Sequence, residues 1–589
     1  MKLSDYVIKK ISDIGVKHVF MLAGGGAMHL NDSLGRSKYL QHVCNLHEQA
    51  CAIAAESYGQ YTNNLGVCMV TTGPGSTNTL TGVAAGWMDS TPMLIISGQV
   101  KRDDLCHGLG VRQMGFQEIN IIPIVETITK YAVTIKDPES IRYHMEKAIW
   151  SSQEGRPGPS WVDIPLDVQA KIIDPHKLIS FSASREGLLK KKNKKILSKD
   201  VSRFLDLIKE SEKPIILIGN GIRLAKAESK VNSMVKKLKI PFLTTWKAMD
   251  LFQENNPLFI GRPGAIGQRA ANLAQQNSDL LIMIGARMDM GQTAFMHQYL
   301  APKAKKVMVD IDKYEINKMK MEIDLPIVIS ADLFIEEVLF QLSKNKVDGQ
   351  KFSSWHRQCI DWKKKFPVVI DEYWNYEDGV SLYALVEAIS KIVKPGHLFI
   401  PGSSGACSEV SMQAFKVKKG VRVFNSEGMG PMGFGISAAL GGCLASNKKR
   451  TICIDGDGGF SMNTQELETI RRLNLPISFF VLDNKGYASI RSTQKSYFNS
   501  RYIGSSEQGG VTLPDLKKIS RAYDIRYFQI KDNNSIIKVL KMIFEIKTPV
   551  ICRVSISENQ VTAPRVITKK NNDGTMETAP MEIMWPPVK

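Results

Sequence analysis

Residues 451–484 read TICIDGDGGFSMNTQELETIRRLNLPISFFVLDN. The apolar, β-branched run Thr451 to Asp455 predicts a strand, Gly456-Asp457-Gly458-Gly459 a tight turn, and Asn463 to Leu473 a helix at 3.6-residue periodicity. Ile477 to Asp483 predicts the next strand. Asn463 with Glu466 three residues on has the spacing of a capping box and predicts the helix start. Strand, glycine turn, helix and strand make one unit of a parallel sheet, whose ligands collect at the carboxyl ends of the strands.

The same scheme repeats upstream. Gly66 to Thr71, the turn Gly73-Pro74-Gly75, the helix Ser76 to Met88 and the strand Pro92 to Ser97 form a second such unit. Short β-branched runs with glycine turns also fill the middle of the chain. The predicted fold is α/β, with three doubly wound parallel-sheet domains at 1–175, 195–345 and 375–560 and an irregular tail over 561–589. A length of 589 residues suits this division at roughly 150 residues per domain. The apolar fraction of 43% excludes a disordered chain and supports several cores.

The net charge of +19 raises nucleic acid as a partner. The densest cluster, Lys190 to Lys195 (KKKNKK), has no interleaved aromatics and no binding module around it, so it reads as a solvated linker. No apolar run nears the ~20 residues of a membrane helix, and the N-terminal Leu3, Val7, Ile11 and Ile14 pattern is that of a first helix, not of a secretory signal. The nine cysteines include no CxxC pair and fit a reducing, cytoplasmic setting. Neither nucleic acid nor membrane is therefore expected as a partner. The excess positive charge suits an anionic small molecule.

Gly456-Asp457-Gly458 and Asp483-Asn484, separated by 24 residues, fall at the tips of neighbouring predicted strands. A carboxylate, an amide oxygen and a backbone carbonyl there suit Mg²⁺, a hard cation that completes its octahedron with phosphate oxygens and water. Gly458 and Gly459 let the backbone approach a diphosphate at a helix N-terminus. Alone, a GDG tripeptide is only a turn; its setting makes it a site.

At this point the sequence resembles the thiamine-diphosphate enzymes, whose GDG is followed some two dozen residues later by an Asn pair. Asp483 replaces the first Asn and Asn484 keeps the second. The resemblance extends to the acetolactate (acetohydroxyacid) synthase branch through LHEQACAIAAESYGQ, TTGPGSTNTLTGVAAGWMDSTPMLIISGQ, GFQE, RPGPSWVDIP, GMGPMGFG and GDGGFSMNTQELETI. It implies that Asp457, Asn484 and the Gly486 carbonyl hold Mg²⁺ on the cofactor diphosphate. Glu48 would drive the aminopyrimidine N1′ into the tautomer that lets the cofactor deprotonate itself. Met432 would wedge the cofactor into a bent shape and Gly430 would offer its carbonyl to the pyrimidine. Pro74 and Asn78 match pyrimidine contacts, and Ser404 and Gly405 match part of the diphosphate loop. In the family each site lies between two subunits, which implies at least a homodimer.

Gly219, Asn220, Gly221, Gly285, Arg287 and either Asp310 or Asp332 resemble the segments that hold FAD in acetolactate synthases, although carboligation needs no redox step. Phe116 and Gln117 match the border of the donor's acyl group, so the expected donor is pyruvate or a similar 2-ketoacid. Two departures concern the acceptor. Ala406-Cys407 replaces a Gln-His pair, and Tyr487 to Gln494 places Thr493 where the family carries a Trp. That variant resembles bacterial enzymes that pass the two-carbon unit to a nucleotide-linked 4-keto-6-deoxysugar, the expected acceptor here. An acetolactate synthase proper, a decarboxylase or C–C hydrolase, and an inactive cofactor-binding subunit are the alternatives.

Overall fold

The computed structural model describes every residue except 107, 190–193, 346, 403–404, 559, 572 and 588–589. Three six-stranded sheets dominate it, and every strand pair within them is parallel. The first comprises β1 (His18–Met21), β2 (Gln41–Cys44), β3 (Gly66–Val70), β4 (Met93–Gln99), β5 (Tyr131–Thr134) and β6 (Pro159–Pro165). The central sheet comprises β7 (Pro214–Ile218), β8 (Phe242–Thr244), β9 (Phe259–Gly261), β10 (Leu280–Ile284), β11 (Lys305–Asp310) and β12 (Leu325–Val328). The third comprises β13 (Leu398–Pro401), β14 (Arg422–Val423), β15 (Thr451–Gly456), β16 (Ile477–Asp483), β17 (Arg526–Ile530) and β18 (Val550–Ser555). Strands such as β3 and β10 are continuous apolar runs because helices cover both faces of a parallel sheet.

The first sheet runs β2, β1, β3, β4, β6, β5 and the third runs β14, β13, β15, β16, β18, β17, which is the same order. The central sheet runs β9, β8, β7, β10, β11, β12, the order of dinucleotide-binding sheets. In each, the chain reverses its direction of travel across the sheet beside the first strand, and the resulting crevice holds a glycine turn.

The first and third units share one core. Ala52, Ala54 and Ala55 of the helix Glu48–Thr62 pack with Ile436, Ala439 and Leu440 of the helix Phe434–Ala445. Small residues let the backbones meet: a Cβ on Gly441 would lie 2.1 Å from the Ala54 carbonyl oxygen.

Two local expectations are corrected. The predicted helix 463–473 begins at Glu466, and Gln465 at its N-cap makes no side-chain cap. Glu466 instead accepts from Asn45 Nδ2 (2.9 Å) and the Leu46 amide (2.8 Å), so the pair joins two units of the chain and does not close a capping box. The tail is not irregular throughout: Arg565–Val566 pairs with Met584–Trp585, and Thr568–Lys570 with Met576–Thr578, both antiparallel. Val566, Met581 and Met584 bury themselves in the core of the central unit. Most of the basic cluster, 190–193, lies outside the described residues.

Candidate active site

The register of β15 against β16 sets Gly456 beside Leu482, so Asp457 and the Asp483-Asn484 pair leave the sheet side by side. Asp457 opens the short helix Asp457–Ser461. Its Oδ1 accepts from the Gly458 amide (2.8 Å), and its Oδ2 accepts from the amides of Asn484 and Gly486 (both 3.1 Å). Burial nevertheless pushes this carboxyl up to about 6. Asn484 Oδ1 is buried with no hydrogen-bond partner among the described residues. A buried amide oxygen without a donor is costly, and a hard cation held between it and Asp457 would satisfy it. Among the described residues no three His, Cys, Asp or Glu side chains converge as a metal site, so part of that cation's charge would be balanced by a phosphorylated ligand.

Asp483, which departs from the expected Asn, forms an ion pair with Arg553 on neighbouring β18. Arg491 is buried and donates to the Asn484 carbonyl (2.6 Å) and the Ser505 carbonyl (2.9 Å), locking the loop from Asn484 to Gly486. The Tyr487 ring lies on Gly458, where a Cβ would approach it to 2.2 Å. Gly405, at φ +67°, leaves room for Ser489, whose Oγ would sit 2.4 Å from a Cβ there. Gly459 lies on Asp455, a buried carboxyl pushed up to about 7. Ser404 lies outside the described residues. Cys407 does not line an open pocket: it packs in the apolar core of the third unit with Phe399 and Val410. Thr493 is exposed on the helix Ala488–Tyr497 and donates to the Ser489 carbonyl.

The second set gathers at the carboxyl end of the first sheet. Glu48 begins its helix behind His47, whose Nδ1 caps the Gln49 amide at 3.1 Å. Glu48 is buried and its Oε2 accepts from Asn78 Nδ2 at 2.9 Å. Pro74 starts the turn of helix Pro74–Thr77 that places Asn78 there. Gly73 packs on the Gln117 backbone, and Gln117 holds φ +62°. Phe116 is 87% exposed. The organiser of this loop is the neighbouring Glu118, to which the sequence reading assigned no role. Burial would raise its carboxyl, but the amides of Cys106, Met114 and Gly115 hold it below the ordinary carboxylate range.

Within one chain no hydrogen bond among the described residues joins Glu48 to Asp457 or Asn484. The two units meet beside these groups, through Asn45, Leu46 and Gln49 on Glu466 and Asn463. Gly430 (φ +57°) and Met432, 40% exposed, open outwards from the third unit.

Models of the thiamine pyrophosphate enzyme match in three parts: the N-terminal TPP binding domain over 1–124, the central domain over 201–338 and the C-terminal TPP binding domain over 403–554. An acetolactate synthase large subunit of Cyanidium caldarium is 31% identical over 95% of this chain and 93% of its own. The chain belongs to the acetolactate synthase family of thiamine pyrophosphate enzymes. A probable acetolactate synthase large subunit of Methanococcus aeolicus is 32% identical over 92% of this chain and 90% of its own, and acetolactate synthase 1, chloroplastic, of Oryza sativa subsp. japonica 29% over 96% and 86%.

This family member carries a large cavity of about 500 Å³ in the crevice of its central sheet. Asn220, Gly221, Gly285, Arg287 and Asp310 line it. A Cβ on Gly219 would lie 2.1 Å from the Gly285 carbonyl oxygen, so this glycine serves the approach of two strand ends behind the wall. Asn220 Oδ1 is buried without a partner among the described residues, and burial pushes Asp310 up to about 6. Asp332 is not in the wall; it is tied to Ser330, which is. Arg565, Val566 and Thr568 of the tail complete the enclosure. No helix among the described residues is long and apolar enough to cross a membrane.

Proposed function

We propose that this enzyme is an acetolactate synthase. One pyruvate loses CO₂, and its remaining two-carbon unit forms a new C–C bond to the carbonyl carbon of a second 2-ketoacid. The relatives' name supports this acceptor, and no feature of the structure favours a nucleotide-linked sugar over it. Thr493 stands on an exposed helical surface, so its small size does not by itself define a pocket.

Thiamine diphosphate, when bound, supplies the carbon nucleophile and the electron sink for decarboxylation. The observation that carries the reading is the unsatisfied Asn484 Oδ1 beside Asp457 at paired strand ends. In our reading these two side chains, with the Gly486 carbonyl, hold Mg²⁺ against the diphosphate. Gly405, Gly458 and Gly459 let Ser489, Tyr487 and Asp455 pack against the turns that would face the diphosphate. Glu48 would meet the pyrimidine through Oε1, the oxygen not engaged by Asn78. Pro74 and Asn78 border that ring, and Gly430 and Met432 approach it from a third unit. Phe116 and Gln117 border the donor. The exposure of Phe116 and Met432 supports a second copy of the chain closing each site, so that Glu48 of one protomer faces Asp457 of another. Gly221, Gly285, Arg287 and Asp310 fit a dinucleotide, and we assign FAD to that cavity.

The test is mass spectrometry of products from protein, thiamine diphosphate, Mg²⁺ and pyruvate, with and without nucleotide-linked 4-keto-6-deoxysugars. Acetolactate in both mixtures is the expected result. A sugar gaining an acetyl unit, or acetaldehyde as sole product, would overturn it.

A further inference from the structure

We infer that Lys247 is a positioning residue for the loop 425–432, acting from a different unit of the chain. Lys247 lies in the 3₁₀ turn Trp246–Leu251 that follows β8. Its ammonium donates to Gln60 Oε1 (2.5 Å), the Asn425 carbonyl (2.7 Å) and Asp89 Oδ2 (3.1 Å). Three acceptors match the three N–H bonds of an ammonium, and they come from the first and third units while the lysine comes from the central one. The side chains of Lys247 and Asp89 are 12% and 2% exposed. This is a buried, saturated cation with a fixed position, unlike a surface lysine.

Asp89 passes the restraint on. Its Oδ1 accepts from the Gly428 amide (2.9 Å) and its Oδ2 from the Glu427 amide (3.1 Å). The loop lies flat on this turn, since a Cβ on Gly428 would come within 2.7 Å of Met88 Cβ and 3.0 Å of Asp89 Oδ1. Lys247 thus holds the first residue of the loop directly and the next turn through Asp89. Two residues on, the loop tightens through the Gly430 amide on the Ser426 carbonyl and then presents Met432. Gly430 and Met432 lie between this anchor and the helix Phe434–Ala445, which packs on the first unit, so the near end of their loop depends on the ammonium. Lys247, Asp89 and Glu427 also line the inner end of the central cavity, where the loop is one side chain away from whatever fills it.

This inference rests on the reading that Gly430 and Met432 contact thiamine diphosphate. It is tested by calorimetric titration of thiamine diphosphate into the full chain with saturating Mg²⁺, comparing wild type, Lys247→Met and Lys247→Arg. Hydrogen exchange of the peptide spanning 425–433 is followed by mass spectrometry in parallel. Lys247→Met removes the charge at similar length and is expected to weaken binding by about tenfold or more, with kcat lowered and the KM for pyruvate unchanged. Faster exchange should be confined to the loop, and Lys247→Arg should recover part of both effects. Binding within about twofold of wild type, with unaltered loop exchange, would overturn the inference. If Lys247→Met gives no cooperative melt, Asp89→Asn breaks the same ion pair and must show the same local signature. A wild type that binds no thiamine diphosphate would overturn the functional reading itself.

Discussion

Asn484 illustrates how a single buried atom can carry a proposal. Its buried Oδ1 has no donor among the described residues, while Asp457 next to it is already supported by three amides. Asn484→Ala is expected to raise the Mg²⁺ needed for half-maximal activity by about tenfold or more while leaving folding intact, since it removes an unsatisfied group. An unchanged Mg²⁺ titration would assign that oxygen to another partner. Glu48→Gln keeps shape and the Asn78 contact; turnover should be lost and Mg²⁺-dependent cofactor binding retained, as measured by stopped assay and calorimetry. At this scale the sequence offers candidates where chemistry demands one residue type, as at Glu48, Asp457 and Asn484. It was opaque where a side chain serves its neighbours. Glu118 gathers three amides of its own loop, and Asp483 looked like a departure until β18 brought Arg553 alongside. Such partners are remote in sequence and leave no local pattern.

The elements followed their periodicity closely, because strands buried on both faces must be continuous apolar runs. The predicted strand Ile477 to Asp483 coincides with β16, and Thr451 to Asp455 falls one residue short of β15. Helix starts fared worse. Asn463 and Glu466 have capping spacing, but Asn463 takes φ +65° and bonds Gln49 and the Gly433 carbonyl, while Glu466 reaches the first unit. Tertiary partners outbid the local ones. The central glycines show the opposite case, in which packing demands the residue. Gly219→Ala would drive its Cβ to 2.1 Å from the Gly285 carbonyl oxygen and 2.5 Å from Ala286 Cα, both backbone. We expect a loss of about 2–3 kcal/mol by denaturant unfolding and release of any flavin from the cavity on gel filtration. An unchanged midpoint would mean that β7 and β10 separate more easily than their packing implies.

Across the molecule, the three units are joined by buried charge. Asp250 pairs with Arg223 and Arg422, and Arg422 also donates to the Gln60 carbonyl (2.8 Å). Glu56 is buried at the same junction and accepts from Gln60 and Thr91 on Oε1, while Oε2 has no partner among the described residues. Burial pushes its carboxyl up to about 7 from an ordinary 4.5. The folded chain therefore keeps a proton that the unfolded chain releases, and the stability this gives is full below 4.5 and lost as the pH rises through 7. Glu56→Gln, which does not titrate, should gain on the wild type by roughly 3 kcal/mol between pH 5 and pH 8 in denaturant melts. A constant difference between the two would show that this carboxyl does not titrate in that range. Such junctions were invisible in the sequence, since their members lie hundreds of positions apart and each unit reads as a separate sheet.

The tail has a consequence for the order of events during synthesis. The central sheet is complete once residue 328 has been made, yet part of its cavity wall is Arg565, Val566 and Thr568. A ribosome adding 5–20 residues per second needs on the order of ten to fifty seconds to travel between them. During that interval the crevice stands open on the nascent chain, and any dinucleotide acquired there can leave again. Enclosure comes only with residues 565–568, so a growing chain acquires its third sheet before the crevice of the second is walled in.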